Sequence, residues 1–258
     1  MKYTQNNVNL HTHSFYCGHG TGEINDYVKA AEKDGRLKVL GFSEHCPVPD
    51  DDIPSRMKFC MMESYLNDVD SSASQSRIKI LKGFECDWRD DLKDFYRSLE
   101  SKTDYLIGAV HHLFDRNKQE LEYVGRIRNF DSYIDEYVDA YTAMLKSGLF
   151  LFGCHPDLFL YNLEWNGKTE SAAEKIISTA RQYDVPLEVN GQGLRKRKTD
   201  ENGNVKIPYP VPQFWHMAKK YGIKICCSSD AHAPENVYED RCFGFAEECG
   251  LEYMSWDI

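Results

Sequence analysis

The sequence predicts an α/β fold in which about seven β-strands alternate with helices and close into a parallel barrel. Short apolar segments alternate along the chain with longer segments of helical periodicity. The predicted strands are apolar without interruption, which is typical of a parallel sheet covered by helices. Polar residues follow nearly every strand. An open, doubly wound sheet gathers its site at one switch point instead, so we favour the barrel.

Length and composition agree with one globular domain over residues 1–258. A βα barrel commonly reaches this size as a single unit, and neither a repeat nor a linker interrupts the alternation. The net charge of −10 argues against an extended surface for nucleic acid or an anionic membrane. We therefore expect no nucleic-acid partner and no membrane partner.

The cysteine content and the first residues predict a cytoplasmic protein. Residues 1–7 contain no apolar segment, so we expect no signal peptide, and the apolar run 149–152 is too short to span a bilayer. The nine cysteines include no CxxC pair. Unpaired thiols of this kind are typical of a reducing compartment.

The first half of the chain contains four predicted strands. In the first of them, His11 and His13 lie on one face because they are two positions apart, and Val8 and Leu10 lie on the other. A helix over 23–34 ends at Gly35. The remaining elements are a strand at 39–43, a loop at 47–54, a helix at about 59–72, a strand at 78–84, a helix at 92–99 and a strand at 105–110.

The second half contains three more strands and three helices. Asp131 is predicted as the N-cap of a long amphipathic helix that ends near Gly148. Ser171 and Glu174 stand at capping-box spacing, which predicts the start of a helix over 171–183. The remaining elements are strands at 149–152, 185–189 and 223–228 and a helix at 212–221.

Histidines and carboxylates dominate the strand ends. Seven of the nine histidines in the chain lie there. Small residues such as Gly41 and Ser43, on the same face as His45, are predicted to leave room inside the barrel for metal chemistry. The candidate metal ligands are His11, His13, His19, His45, Glu85, His111, His155, Asp230 and His232.

This set of ligands predicts a site for several metal ions. Imidazole and carboxylate suit zinc, manganese or iron. The set is too large for one ion, and if Glu85 bridges, it suffices for three. Such a cluster would carry several positive charges, which suits a phosphate, and water shared by two ions would ionise near neutral pH. We therefore expect hydrolysis of a phosphate ester by a metal-bridging hydroxide.

The order and spacing of these motifs resemble those of the polymerase-and-histidinol-phosphatase (PHP) superfamily. The motifs are HxH followed by CGH, then SEH, GFE, VHH, HPD and SDAH, and they extend from His11 to about His232. The resemblance implies a distorted, TIM-like (β/α)7 barrel with a trinuclear metal site, zinc foremost with manganese or iron as alternatives. It implies three sets of ligands: His11, His13, Glu85 and Asp230; Glu85, His111 and His155; and His19, His45 and His232.

The segment 187–196 is similar to the histidinol-phosphatase branch of this superfamily. There, Leu-Glu-Val-Asn is followed by Gly-Leu-Arg-Lys, and the resemblance implies that Arg195 binds the substrate phosphate. The chain departs from the usual pattern at Gly191-Gln192 and at Asn9, and neither departure replaces a ligand. For residues 196–198, a solvated loop and a functional role are both open.

We therefore expect a metal-dependent phosphomonoesterase whose substrate is a small phosphorylated molecule, by resemblance L-histidinol phosphate. Asp230 is the candidate for handling the proton of the attacking water. A metal-bound water, Asp230 or His112 could supply the proton of the leaving group, and His112 could also support a ligand or contact the substrate. The alternatives are a related phosphoesterase acting on a nucleotide, a nucleic-acid end or phosphotyrosine, and a non-catalytic metal-binding module.

Overall fold

The computed structural model describes residues 3–51, 53, 55–127, 129–199, 203–256 and 258. The strands in these ranges are β1 Val8–Asn9, β2 Val39–His45, β3 Lys79–Asp87, β4 Tyr105–Ala109, β5 His112–Asp115, β6 Glu120–Tyr123, β7 Leu187–Asn190, β8 Lys198–Thr199, β9 Val205–Lys206, β10 Lys224–Ser228 and β11 Glu252–Tyr253. The α-helices are α1 Ile24–Asp34, α2 Met62–Gln75, α3 Lys93–Leu99, α4 Ile134–Lys146, α5 Gly167–Gln182, α6 Gly191–Arg195, α7 Pro212–Lys220 and α8 Arg241–Glu248.

Seven segments form a closed parallel ring. Strands β1 to β4 are successive neighbours in one sheet, and β7 pairs with β10 in another. Gly153 joins the two sheets because it bridges to Gly108 on one side and to Leu187 on the other. Thr12 bridges to Ala231 and closes the ring between β1 and β10. The predicted α/β barrel is confirmed, with six strands and the bridging residue Gly153 in place of a seventh strand.

Apolar side chains and one tyrosine fill the interior of the barrel. Tyr105 extends from β4 across the interior, and its hydroxyl donates to the Leu10 carbonyl oxygen at 2.8 Å. Its ring lies against Gly41 and Gly83, where a Cβ atom would overlap it. The small residues that precede the predicted ligands therefore make room for this ring rather than for metal chemistry. The interior cluster comprises Val8, Leu10, Val39, Leu81, Tyr105, Ile107, Ala109, Phe152, Cys154, Cys226 and Trp256.

The helices pack on the outer faces of the strands. A second, larger apolar cluster lies between the strands and these helices. Leu40 and Phe42 of β2 belong to it, whereas Val39 belongs to the interior cluster, as the two-residue period of a strand requires. Helix α1 begins with a capping box between Glu23 and Asp26 and ends at Gly35, whose φ of +78° suits glycine. The helix predicted at 23–34 is therefore confirmed, and most of the other predicted elements are present with small shifts at their ends.

Two of the predicted helix starts are wrong. Asp131 is not an N-cap, because a 3₁₀ turn over Phe130–Tyr133 precedes α4, and its carboxylate instead accepts from Lys168 Nζ at 3.0 Å. Helix α5 starts before Ser171, since the Asn166 side chain accepts from the first turn and forms a capping box with Thr169. The first turn of α5, residues 167–170, contains no apolar side chain, so it precedes the periodic segment from which the helix was predicted.

Other predictions are wrong at the ends of strands and in the segments that connect the barrel strands. Residues 149–152 are not a strand, although Leu151 N donates to Leu106 O at 2.8 Å. Strand β1 ends at Asn9, so the two histidines that follow lie beyond it. The predicted loop 47–54 includes positions 52 and 54, which lie outside the described residues. The β5–β6 and β8–β9 hairpins and α8 were not predicted. Within the ranges given above, no helix has the length and apolar character needed to cross a membrane.

Candidate metal centre

Glu85 lies at the centre of the predicted ligand cluster, at the carboxyl ends of the barrel strands. The strand period places it on the inner face of β3 together with Leu81 and Gly83. Its carboxylate is completely buried. Its two oxygens lie 2.7 to 3.6 Å from imidazole nitrogens of His11, His13, His45, His111 and His155. The carboxylate is therefore placed to bridge cations held by different histidines.

Asp230 faces Glu85 from the opposite side of the barrel mouth. Its Oδ1 atom lies 3.3 Å from His13 Nε2 and 3.6 Å from His11 Nε2. Asp230 and His155 both adopt positive φ angles, of 47° and 28°. Non-glycine residues rarely adopt this conformation, and where they do the surrounding structure must stabilise it. Two of the predicted ligands therefore have strained backbone conformations.

His19 and His232 complete the cluster on its outer side. Their Nε2 atoms are 3.0 Å apart. The ring of His13 is stacked on those of His45 and His232, with centroids 4.2 and 4.4 Å apart. All nine predicted ligands are thus brought together, although they come from every part of the chain.

Buried atoms without partners test whether the cluster fits metal ions. Within the described part of the chain, His11 Nε2, His13 Nε2 and Asp230 Oδ1 are buried and have no hydrogen-bond partner. Buried polar atoms in proteins are normally paired. The ligand atoms of these three residues lie within 4.8 Å of one another, as do those of His45, Glu85 and His111. The donor set therefore fits divalent ions that imidazole and carboxylate bind.

The charges of the cluster are strongly coupled. Burial opposes protonation of His11, but the carboxylates of Glu188, Asp230 and Glu85 raise its pKa well above the usual value. Burial alone would raise the pKa of Asp230, and the neighbouring histidines His11 and His13 lower it well below the usual value. Burial and the neighbouring His13 lower the pKa of His232 to about 3. Asp230 is therefore ionised and attracts a cation, and His232 is neutral, as a ligand must be.

The thiols near the cluster have other contacts. Cys17 Sγ donates to the Ser14 carbonyl oxygen at 3.1 Å and accepts from Gly20 N at 3.0 Å, and burial raises its pKa to about 12. Cys154 lies inside the barrel beside His11, and burial raises its pKa as well.

Asp87 supports the histidine pair that follows β4. Its Oδ1 accepts from the backbone N–H of His111 at 2.6 Å, and its Oδ2 lies 2.6 Å from His112 Nδ1. Arg56 approaches from the loop after β2, with Nη2 3.2 Å from Asp87 Oδ2 and 3.0 Å from His111 Nδ1. Burial would raise the pKa of Asp87, but His112, His111 and Arg56 lower it well below the usual value. Neither Asp87 nor Arg56 was predicted from the sequence.

A cavity of about 400 Å³ opens beside the cluster. Three cationic side chains, Arg56, Arg126 and Lys196, reach its wall. Lys196 Nζ donates to the Tyr209 hydroxyl at 3.1 Å, and burial lowers the pKa of the lysine. Lys196 is therefore not a residue of a solvated loop. Other parts of the wall are His112, Tyr123, Leu158, Tyr161, Tyr209 and Gln192.

Arg195 points away from the cavity. Its Nη1 atom pairs with Glu239 Oε2 at 3.1 Å, and its Nη2 atom donates to the carbonyl oxygens of Ser229 and Asp230 at 2.8 and 3.0 Å. It does not contribute to the cavity wall formed by the described residues. The predicted contact with phosphate stays a prediction, and the structure places Lys196, its neighbour, in the cavity.

Two residues that depart from the family pattern, Gln192 and Asn9, contact a predicted ligand or a residue next to one. Gln192 Nε2 lies 2.7 Å from His232 Nδ1. Asn9 Oδ1 accepts from Ser229 N at 3.1 Å, and Asn9 Nδ2 donates to Ser229 Oγ at 2.7 Å. Asn9 and Ser229 are 220 positions apart in the sequence, so no local pattern could predict their contact.

A parallel βα barrel with histidines and carboxylates clustered at its carboxyl-end mouth has the architecture of a metal-dependent hydrolase. Comparison with known families is more specific. The family model described as the PHP domain matches residues 9–192, and the chain belongs to this family. The resemblance noted in the motifs is thereby confirmed.

Individual relatives are similar over most of their length. A Deinococcus radiodurans protein named "Probable histidinol-phosphatase" is 29% identical over 236 residues, which cover 88% of this chain and 86% of the relative. A Thermoanaerobacter protein named "Probable phosphatase" is 23% identical, with 89% and 80% covered. The crystal structure of a Lactococcus lactis histidinol phosphate phosphatase, complexed with zinc, L-histidinol and phosphate, aligns with a TM-score of 0.72 at 15% identity, over 96% of this chain and 95% of that one. At this identity, the structural match shows a shared fold.

Proposed function

We propose that this protein is a metal-dependent phosphomonoesterase that hydrolyses L-histidinol phosphate in histidine biosynthesis. The observation that carries the proposal is the convergence of nine histidine and carboxylate side chains beside a cavity lined by three cationic residues. Clustered divalent cations and positive side chains together suit the negative charge of a phosphate monoester. Membership of the PHP family supports the same reaction class.

Three divalent ions, zinc foremost with manganese or iron as alternatives, would be held by the three ligand sets that the resemblance implies. His11, His13 and Asp230 are close enough for one ion, and Glu85 lies within 3.6 Å of both histidines. When bound, such ions polarise phosphoryl oxygens and lower the pKa of a coordinated water. The zinc in the Lactococcus lactis relative supports the choice of metal.

The residues of the chain would move the protons and neutralise the substrate charge. Asp230 presents an ionised carboxylate at the cluster and is the candidate for accepting the proton of the attacking water. His112 is held at Nδ1 by Asp87 and lies in the cavity wall, where it would donate a proton to the leaving oxygen. Lys196 and Arg56 would face the phosphate, and the contact between Arg195 and phosphate stays a prediction.

The names of the relatives and the form of the cavity support histidinol phosphate as the substrate. The cavity has a volume typical of small-molecule sites. Tyr123, Tyr161 and Tyr209 give it aromatic surfaces against which an imidazole ring can pack. A cytoplasmic location agrees with this role, and all nine cysteines are free thiols.

A panel of substrates, tested with zinc-, manganese- and iron-loaded protein, tests the proposal. We expect kcat/KM for L-histidinol phosphate to exceed that for p-nitrophenyl phosphate, nucleotides and phosphotyrosine by at least about 100-fold, since a fitted site gains several kcal/mol of selective binding. A preference for nucleotides or phosphotyrosine would assign another phosphoesterase activity. Absence of turnover with every metal would favour a non-catalytic metal-binding module.

A further inference from the structure

Glu188 is a completely buried carboxylate that the metal-ligand assignment does not include. It lies on β7, inside the barrel mouth, and its Oε1 atom is 2.6 Å from His11 Nδ1. Its Oε2 atom accepts from the backbone N–H of His155 at 3.0 Å and from Asn190 Nδ2 at 2.9 Å. One side chain thus contacts two predicted metal ligands and a neighbouring amide.

Asn190 extends this network to a third ligand. Its Nδ2 atom also donates to Asp230 Oδ2 at 3.0 Å, and its Oδ1 atom accepts from Gly193 N at 3.0 Å. The Asp230 oxygen that it does not contact, Oδ1, is the one that faces His11 and His13. Asn190 therefore holds one oxygen of Asp230 and directs the other to the cluster.

We propose that Glu188, together with Asn190, is a positioning residue that orients His11, His155 and Asp230 for metal binding. A carboxylate oxygen accepts a hydrogen bond, so Nδ1 of His11 carries a proton and Nε2 is the nitrogen available to a metal ion. His11 Nε2 has no hydrogen-bond partner among the described residues, which is the state that a metal ligand requires. This inference rests on the metal site of the proposed function.

The exchange of Glu188 for glutamine tests the orientation without changing the size of the side chain. All three groups that contact the carboxylate donate hydrogen bonds to it, and an amide provides only one accepting oxygen. The NH₂ group of the glutamine must therefore face either His11 Nδ1 or the donors of His155 and Asn190. We expect Glu188→Gln to weaken zinc binding by about 10- to 100-fold, as changes behind metal-bound histidines do.

The measurement is a titration of zinc in competition with a chromophoric chelator, accompanied by thermal unfolding of the metal-free protein. Asp115→Asn is the matched control, because Asp115 is a buried carboxylate that accepts from Asn117 N and the Tyr133 hydroxyl, without contact to a ligand. A purely structural role of Glu188 would lower the melting temperature of the metal-free variant and leave its zinc affinity unchanged. That outcome overturns the inference.

If Glu188→Gln does not fold, the zinc affinity of Asn190→Ala tests the same inference. This substitution removes the contacts to Glu188 and Asp230 without changing a charge, and we expect its zinc affinity to fall about tenfold, at the lower end of such effects. Zinc affinity equal to that of the parent would again overturn the inference. Neither measurement uses phosphatase activity. A parent protein that binds no zinc would contradict the proposed function itself, whereas unchanged zinc binding in the variants contradicts only the roles of Glu188 and Asn190.

Discussion

The guanidinium of Arg195 is ion-paired with Glu239 at 3.1 Å, behind the strained backbone of Asp230. It also donates to the carbonyl oxygen of Asp230 itself. The residue is therefore placed to hold a predicted metal ligand in its left-handed conformation. This position differs from the phosphate contact that the sequence implies, and the two roles have different consequences.

For Arg195→Ala we expect a loss of bound metal together with a fall in kcat/KM of at least about tenfold, because a removed charged hydrogen bond typically costs about 1.5–3 kcal/mol. The measurements are metal analysis of the purified variant and its steady-state kinetics. Full metal content with reduced turnover would instead assign Arg195 to the substrate phosphate. Arg241→Ala is a suitable control, because Arg241 also pairs with Glu239 but does not contact Asp230.

For Lys196→Met we expect inhibition by inorganic phosphate to weaken about tenfold, since the variant loses a charge-assisted contact in the cavity. Lys198→Met is the control, because Lys198 Nζ donates to Tyr161 O and Asn162 Oδ1. Inhibition constants for phosphate measure the effect. Equal constants for parent and Lys196→Met would exclude a contact between Lys196 and phosphate.

The pH dependence of phosphate inhibition follows from the lowered pKa of Lys196. Because burial lowers this pKa, the lysine loses its charge at a lower pH than an exposed lysine does. Phosphate affinity of the parent should therefore decrease as the pH rises through that value and approach the affinity of Lys196→Met. A constant difference between the two proteins up to about pH 10.4, the pKa of an ordinary lysine, would contradict this prediction.

Removal of metal should destabilise the protein. The buried ligands attract a cation in the folded state, and a ligand present at 100 times its Kd stabilises a fold by about 2.7 kcal/mol. We expect a chelator to lower the melting temperature and added zinc to restore it. Acid should weaken the restoration, because protons compete for imidazole, most strongly at His11 with its raised pKa. A melting temperature that is insensitive to chelator between about pH 6 and 8 would contradict the prediction.

For Gly41→Ala we expect a loss of about 1–3 kcal/mol in the free energy of unfolding, since the added methyl group would overlap the Tyr105 hydroxyl and the Leu10 side chain. Urea denaturation measures it. Gly244→Ala on α8 is the control, because nothing lies within 4 Å of an added Cβ there. The same substitution in a Tyr105→Phe background should cost less. Additive effects of the two substitutions would exclude the steric contact.

The site could be predicted because metal ligands are few in kind and follow the strands of a parallel barrel. His45 and Glu85 stand at positions that the two-residue period of their strands places inside the barrel. The starts of α4 and α5 were predicted less well. In α5, for example, Asn166 rather than Ser171 provides the cap. The hairpin of β5 and β6 was missed because each of its strands has only four residues, half of them polar.

Local periodicity thus determined the barrel, the order of its strands and the residues that gather at its mouth. The tertiary structure decided the contacts that orient those residues. Glu188 meets His11 across 177 positions of sequence, and Arg195 turns toward Glu239 while Lys196 turns into the cavity. The physical reason is that a repeating pattern records which face of an element is buried. The partner of a buried polar atom depends instead on segments that only the closure of the barrel brings together.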